Sequence, residues 1–351
     1  MQRSVLFVGS YVPPAVGSRG VGEDLALKLE TIGWNVRLTS RLVSRVGRVT
    51  DMLSTIWREH PNYANAVVDV YSGMAFAWAE SACWLLRKLG KPYILVLHGG
   101  SLPAFARRSN HRVRKLLRSA AKVVTPSRYL LEEMRLYRRG LMLLPNPLNV
   151  HAYPFQARTR VRPRLIWLRA FHELYNPGLA LRVTARLTPS FPDVQLIMIG
   201  PDKGDGSWNR TRECAEEMQL TGRVRLVPGI PKEHVPRALQ DGDIFLNTTR
   251  ADNTPVSVME AMASGLCIVS TNVGGIPYLL EADRDAVLVP SDDAAAMTAG
   301  VARILDNPVF AALLCTNARR KVEAFDWANV LPQWDSLLTS LNRPEATECI
   351  R

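Results

Sequence analysis

Short apolar runs alternate with amphipathic stretches of helical length along most of the 351 residues, and many of those runs end in Gly, Asn, His or Ser. That alternation predicts βαβ units and parallel sheets. A first series places strands at Val5–Val8, Asn35–Thr39, Ala66–Val70, Tyr93–Leu97, Val123–Thr125 and Leu141–Leu144, with a helix from about Gly22 to Ile32. Prolines at 145, 147, 154 and 163, with little periodicity between them, mark a connector. A second series restarts with strands at Arg164–Leu168, Val194–Ile199, Val224–Leu226, Ile244–Leu246, Cys267–Ser270 and Ala286–Val289. Its helices fall near Leu179–Leu187, Trp208–Met218, Val235–Gln240, Val256–Ala263 and Ala294–Leu305, and an aromatic-bearing helix runs from Phe325 to Leu341. The length suits two domains, each with its own core.

In open parallel sheets, ligands bind beyond the carboxyl ends of the strands, so the residues found there sample a site. The first series offers Gly9-Ser10, with Gly17 and Gly20 in the loop that follows, and His98-Gly99-Gly100. The second offers Arg169, Gly200-Pro-Asp-Lys203-Gly204, Pro228-Gly229-Ile230, and Asn247 through Arg250 leading into Asp252. These groups suit a phosphorylated sugar and assemble no protease-like triad. Asp252 and Glu260 lie eight residues apart across a helix start. Pro255 suits the first turn of that helix, and the N–H groups of Thr254, Val256 and Ser257 point out of its end toward an anion. A diphosphate held there leaves Glu260 about 7 Å along the axis, at ~1.5 Å per residue, within reach of an attached sugar.

The net charge of +12 is unevenly spread: residues 1–150 hold 22 Lys and Arg against 9 Asp and Glu, while the remainder holds 22 against 23. Within the basic half, Arg107–Arg118 carries six cationic side chains and no acid. The segment reads either as a solvated helix face or as a surface for an anionic partner, lipid headgroups or a phosphate-bearing acceptor. No nucleic-acid-binding module or aromatic stacking pattern accompanies it, so no nucleic-acid partner is expected. No stretch reaches the roughly 18 apolar residues of a membrane span. The opening run ends in Gly9 without a small-residue cleavage site and reads as a strand, not a secretory signal. Five scattered cysteines, none in a CxxC pair, favour reduced thiols in a cytoplasmic protein and give no metal spacing.

The segment Asp252-Asn-Thr-Pro-Val-Ser-Val-Met-Glu260 resembles the Glu-x7-Glu signature of the family-4 retaining glycosyltransferases. The resemblance implies an α/β fold of the GT-B type, with two facing Rossmann-like domains. Residues 1–150, joined by a C-terminal helix (about 328–351) that crosses back, form the acceptor-side domain; residues 151–327 form the nucleotide-sugar-binding domain. It further implies Glu260 on the nucleotide ribose and Asp252 on the donor hexose, where Asp shortens the family's Glu by one methylene. Arg169, opening Arg-Ala-Phe-His-Glu-Leu-Tyr-Asn176-Pro-Gly, resembles the start of the family's diphosphate-binding loop. The usual Lys of that loop is absent, Asn176 stands near its place, and Lys203 is the expected substitute. His98 matches a family position near the donor sugar, and Gly17 falls in a loop near the diphosphate and acceptor. Thr271 through Pro277 resembles the family's Gly-Gly loop, with Tyr278 where many members carry Glu.

Asp241-Gly-Asp243 and Asp283-Arg-Asp285 match the DxD pattern that holds a metal in the other large glycosyltransferase fold. Asp243 immediately precedes a strand and the second pair falls in a surface turn, so structural roles are expected for both and no metal is required. These readings converge on a retaining, metal-independent hexosyltransferase using a UDP- or GDP-linked sugar and no other cofactor. Its acceptor would be a glycan or a lipid-linked glycan in surface polysaccharide or glycolipid assembly, and its place the cytoplasm or the inner membrane face. A nucleotide-sugar epimerase or hydrolase on the same fold, and a nucleotide-sugar-binding protein without turnover, stay open as alternatives.

Overall fold

The computed structural model describes residues 3–11, 20–40, 42 and 44–342. The chain divides into two units, Met1–Pro147 with Ala328–Arg351, and Leu148–Trp327. In the first unit, six parallel strands are ordered β2-β1-β3-β4-β5-β6: β1 (Ser4–Val8), β2 (Asn35–Leu38), β3 (Asn65–Val70), β4 (Tyr93–Leu97), β5 (Lys122–Thr125) and β6 (Leu141–Leu143). Every residue of β1 and β4 is buried, which is why these strands read as unbroken apolar runs and not as alternating ones. The sheet grows in one direction from β1 to β2 and in the other from β1 to β3, so its order reverses between β1 and β3.

The C-terminal helix, Trp327–Leu341, is held to this unit by polar contacts as well as by buried Trp334, Leu337 and Leu338. The Trp34 indole donates to Asp335 at 2.7 Å, and Asn65 donates to Asn342 at 2.8 Å. The basic segment forms two helices, Leu102–Arg108 and Asn110–Ser119. Val113, Leu116 and Leu117 face the core, while Arg107, Arg108, Arg112, Lys115 and Arg118 are exposed. Arg107 pairs with Glu133 at 3.1 Å and Arg112 donates to Glu80 at 3.2 Å, so acids from neighbouring helices offset part of the charge.

The second unit has six parallel strands ordered β12-β11-β10-β7-β8-β9: β7 (Arg164–Leu168), β8 (Gln195–Ile199), β9 (Val224–Val227), β10 (Ile244–Asn247), β11 (Cys267–Thr271) and β12 (Val287–Val289). Because side chains alternate across a strand, Leu165 and Trp167 enter one core with the helices Pro177–Leu187 and Ala294–Asp306, while Ile166 enters the other with the helix Val256–Ser264. Here the order reverses between β7 and β10. Among the described residues no single helix is long and apolar enough to cross a membrane. One pair bent by 104°, Ala294–Asp306 with Pro308–Phe325, passes on composition, but Met297, Val301, Ile304, Phe310 and Leu314 are committed to the core of this unit.

Candidate functional site

At the reversal between β7 and β10, the two strands deliver Arg169 and the loop that ends in Asp252. The Arg169 amide bonds to the Ile199 carbonyl at 3.0 Å, which fixes the turn out of β7, and its guanidinium lies 4.4 Å from the centre of the Tyr175 ring. It also forms an ion pair with Asp252, whose other carboxylate oxygen accepts the Asn253 amide at 2.8 Å. Residues expected to serve separate parts of a ligand, the diphosphate and the hexose, therefore hold each other. The pair is only partly open to solvent, with side-chain exposures of 20% and 10%.

Glycines allow backbone to meet backbone here. A Cβ on Gly200 would overlap the carbonyl oxygen of Arg169, and one on Gly275 would overlap that of Asn253. The Gly275 amide donates to the Asp252 carbonyl at 3.0 Å, so the Gly-Gly loop after β11 is the clamp on the acidic loop. Further bonds stitch the neighbouring loops together. Trp167 donates to the Thr248 hydroxyl at 2.8 Å, that hydroxyl donates to the Tyr175 carbonyl at 2.7 Å, and the Arg250 amide reaches the Leu174 carbonyl at 2.8 Å.

The helix Val256–Ser264 begins beside this loop, with Pro255 as its N-cap and not inside the first turn as the sequence suggested. Pro255 has φ −70° and ψ 119°, an extended conformation, and its carbonyl accepts the amides of Val258 and Met259. Val256 and Ser257 thus supply the first-turn N–H groups that a helix cannot bond internally. Thr254 lies one residue outside the cap and is not part of that turn. Glu260, buried with 6% exposure, accepts the Tyr153 hydroxyl at 2.8 Å. Tyr153 lies in the connector, the stretch with the least sequence signal, and its partner is 107 residues away. It is in turn fastened by Arg319, which donates to the carbonyls of Tyr153 and Ala263.

The remaining expected residues divide. Lys203 is exposed, and its amide bonds to the Phe171 carbonyl at 3.3 Å, which puts it two residues from Arg169 across the adjoining loop. Gly229 packs on Pro201 at 3.3 Å, and Ile230 packs against the core beneath the helix Val256–Ser264. Asn176 does not stand in for a cation. It adopts the left-handed region (φ 49°), caps the helix Pro177–Leu187 and donates to Asp292 at 2.7 Å. His98 belongs to the first unit, where Nε2 lies 2.9 Å from Asp69 Oδ1 and the ring stacks on Tyr71 at 4.8 Å. Gly17 lies outside the described residues.

Both DxD segments are engaged in ion pairs. Asp243 meets Arg158 at 3.1 Å and Arg162 at 2.9 Å; burial alone would raise its carboxyl, but the hydrogen bonds and charge of these arginines hold it below its ordinary range. Asp283 pairs with Arg303, Asp285 with Lys321, and Asp241 with Arg225. No group of three or more His, Cys, Asp or Glu able to share a metal ion occurs among the described residues.

Comparison with known proteins covers the same region. The family described as glycosyl transferases group 1 matches residues 162–307. A putative colanic acid biosynthesis glycosyltransferase of Escherichia coli K12 is 40% identical over 193 residues, which are 51% of this chain and 43% of that protein. The chain thus spans less than half the length of this curated relative. Sucrose-phosphate synthase from Thermosynechococcus elongatus superposes with a TM-score of 0.81 at 18% identity, over 97% of this chain and 99% of that one. The Anabaena protein HepE, solved in complex with UDP and glucose, gives 0.77 at 15% identity, over 97% of this chain and 100% of that one. These likenesses establish the GT-B fold, and residues 162–307 match the family described as glycosyl transferases group 1.

Proposed function

We propose that this protein is a retaining glycosyltransferase that moves a hexosyl group from a UDP- or GDP-linked sugar to an acceptor hydroxyl without a required metal. The observation that carries the reading is the meeting of Arg169, Asp252, the first-turn amides of Val256 and Ser257, and Glu260 at one strand-order reversal of the second unit. An incoming diphosphate would accept from the two amides and compete with Asp252 for the Arg169 fork, which matches phosphate oxygens as well as carboxylate. That exchange would release Asp252 to accept from hydroxyls of the hexose. As the sugar C1–O bond breaks, negative charge grows on the departing diphosphate, where Arg169 and the amides stabilise it; bond breaking leads toward an oxocarbenium-like centre. Glu260, steadied by Tyr153, would hold the ribose, and Lys203 would add the second positive charge. His98 would contact the donor sugar or the acceptor.

A relative named for colanic acid biosynthesis supports a setting in surface polysaccharide assembly, with a glycan or lipid-linked acceptor. The exposed cations of Arg107–Arg118 support work at the cytoplasmic face of an anionic membrane. Thermal shift with a panel of nucleotide sugars, followed by product analysis in the presence of chelator, tests the reading. A stabilising donor whose sugar is transferred with its anomeric configuration kept, at an unchanged rate in chelator, is expected. Free sugar or an altered nucleotide sugar as the sole product contradicts transfer, and a rate abolished by chelator contradicts metal independence.

A further inference from the structure

Two cysteines that no step of the proposed reaction uses meet inside the second unit. Cys267 opens β11 and Cys315 lies in the helix Pro308–Val322, both fully buried in one core. The Cys267 thiol donates to the Ala311 carbonyl at 3.5 Å. A helical carbonyl points along the axis toward the residue four places on, here Cys315. The strand's first side chain is therefore laid against the turn that presents Cys315, and the two thiols share a hydrogen bond. Arg158 closes the site from the connector. Its amide donates to Cys315 Sγ at 3.4 Å, while its buried guanidinium meets Asp243 at 3.1 Å and donates to the Gly242 carbonyl at 2.9 Å. Arg158 is the one buried residue between positions 154 and 160, and Thr316, next to Cys315, is exposed. A single layer of chain thus separates Cys315 from solvent.

The surroundings treat the two sulfurs differently. Cys315 accepts hydrogen bonds from Cys267, from the Arg158 amide and from Thr316; with the guanidinium charge, these outweigh burial and hold its thiol below the ordinary range. Cys267 gives its proton to the shared bond and is buried, so its thiol is pushed up. Because the thiolate is the nucleophile, Cys315 is the attacking sulfur and Cys267 the resolving one. A low-lying thiol poised beside a resolving cysteine is the arrangement that responds to oxidants. Inert core cysteines lack the cation, the directed amide and the second sulfur.

We propose that Cys267 and Cys315 form a redox modification site, a thiol pair that hydrogen peroxide converts to a disulfide. The Cys315 thiolate attacks one peroxide oxygen, the O–O bond breaks and hydroxide leaves, giving a sulfenic acid. The Cys267 sulfur then attacks that of Cys315 as the S–O bond breaks, and the Cys267 proton leaves with the hydroxyl as water. Both thiols are oxidised and the peroxide is reduced. Bringing the sulfurs to the ~2.05 Å of a disulfide draws the helix Pro308–Val322 toward β11. Arg319, one turn past Cys315, moves with it and loosens from the Tyr153 carbonyl, which weakens the bond from Tyr153 to Glu260. The effect on nucleotide binding rests on the transferase reading; the disulfide does not.

Peroxide treatment of the full folded chain, blocking of free thiols with N-ethylmaleimide in denaturant and peptide mass spectrometry test the pair. A cross-link between Cys267 and Cys315, reversed by dithiothreitol, is expected. In Cys267→Ser, Cys315 should stop at a sulfenic acid that dimedone captures, while in Cys315→Ser, Cys267 should stay unmodified. Both thiols alkylated after a dose that oxidises the half-buried Cys214, or a disulfide of any other pairing, overturns the proposal. Dimedone on Cys267 in Cys315→Ser overturns the assignment of the attacking sulfur. Should either variant fail to fold, the wild-type cross-link decides. Affinity for UDP or GDP, read by calorimetry, should be about fivefold lower in the cross-linked protein and return with dithiothreitol. An unchanged affinity overturns the link to Glu260. Reduced protein that binds neither nucleotide counts against the transferase reading, and the cross-link is judged by mass alone.

Discussion

The two sheets share a parallel, twice-directed order, yet their reversal points carry different chemistry. Between β7 and β10, two charged side chains pair off, glycines bring backbone against backbone, and a helix turns its amino end toward the crevice. Between β1 and β3, the crevice is an open cavity with one braced carboxylate and an aromatic wall. The fold decides where a ligand can sit, while the loop residues decide which one. A guanidinium with directed amides suits a diphosphate, whereas a braced carboxylate beside aromatic surface suits hydroxyls.

The largest expected effect separates the two places by charge. On the proposed reading, Arg169→Ala would remove the fork from the departing group and leave Asp252 without its guanidinium, so turnover should fall by about 10²–10³-fold. Release of nucleoside diphosphate from a donor sugar measures this, and a loss under threefold would show that Arg169 serves only to neutralise Asp252. Next comes the backbone contact. Gly275→Ala would place a methyl on the Asn253 carbonyl, and overpacking of this kind costs about 1–3 kcal/mol. Nucleotide-sugar affinity, read by calorimetry, should drop about tenfold or more.

A smaller effect is expected from Tyr153→Phe, which deletes one hydrogen bond to Glu260, worth about 1 kcal/mol or roughly fivefold in affinity. If Tyr153 acts by orienting Glu260 toward ribose, the loss should be seen with UDP or GDP and be absent with their 2′,3′-dideoxy forms. An equal loss with both would mark a general structural role. The smallest effect on catalysis belongs to the basic helices: Arg108→Glu with Lys115→Glu and Arg118→Glu should abolish sedimentation with anionic vesicles, at ~1 kcal/mol per cation, and leave donor cleavage in solution unchanged. Sedimentation that persists in the triple variant would remove the membrane role of this segment.

Much of the architecture was legible because buried parallel strands are continuous apolar runs. All twelve observed strands lie within a residue of the runs that predict them. The helices Arg45–Arg58 and Pro308–Val322 were not singled out. The first carries apolar residues at 46, 49, 52, 53, 56 and 57, a helical period legible in the sequence, and the second is apolar on so much of its surface that its periodicity is blurred. Arg169 and the approach to Asp252 are visible at strand ends, and Glu260 and the helix start in the eight-residue spacing of the two carboxylates, yet the pairing of Arg169 with Asp252 spans 83 residues and leaves no local trace. A reading of strand ends misses Asp69 because it is the penultimate residue of its strand, not the residue beyond it. Its signal was present all the same, a single acid within Asn-Ala-Val-Val-Asp-Val. Tyr153 had no such signal, since nothing in a proline-rich connector predicts a contact with a helix more than a hundred residues on.

On the proposed reading, the crevice between β7 and β10 receives the nucleoside diphosphate. A crystal structure with bound UDP or GDP tests it most directly. Phosphate oxygens are expected within hydrogen-bond distance of the Val256 and Ser257 amides and of the Arg169 guanidinium, with the ribose hydroxyls on Glu260. A nucleotide bound at the β1–β3 cavity instead, with the Arg169–Asp252 pair undisturbed, would contradict it.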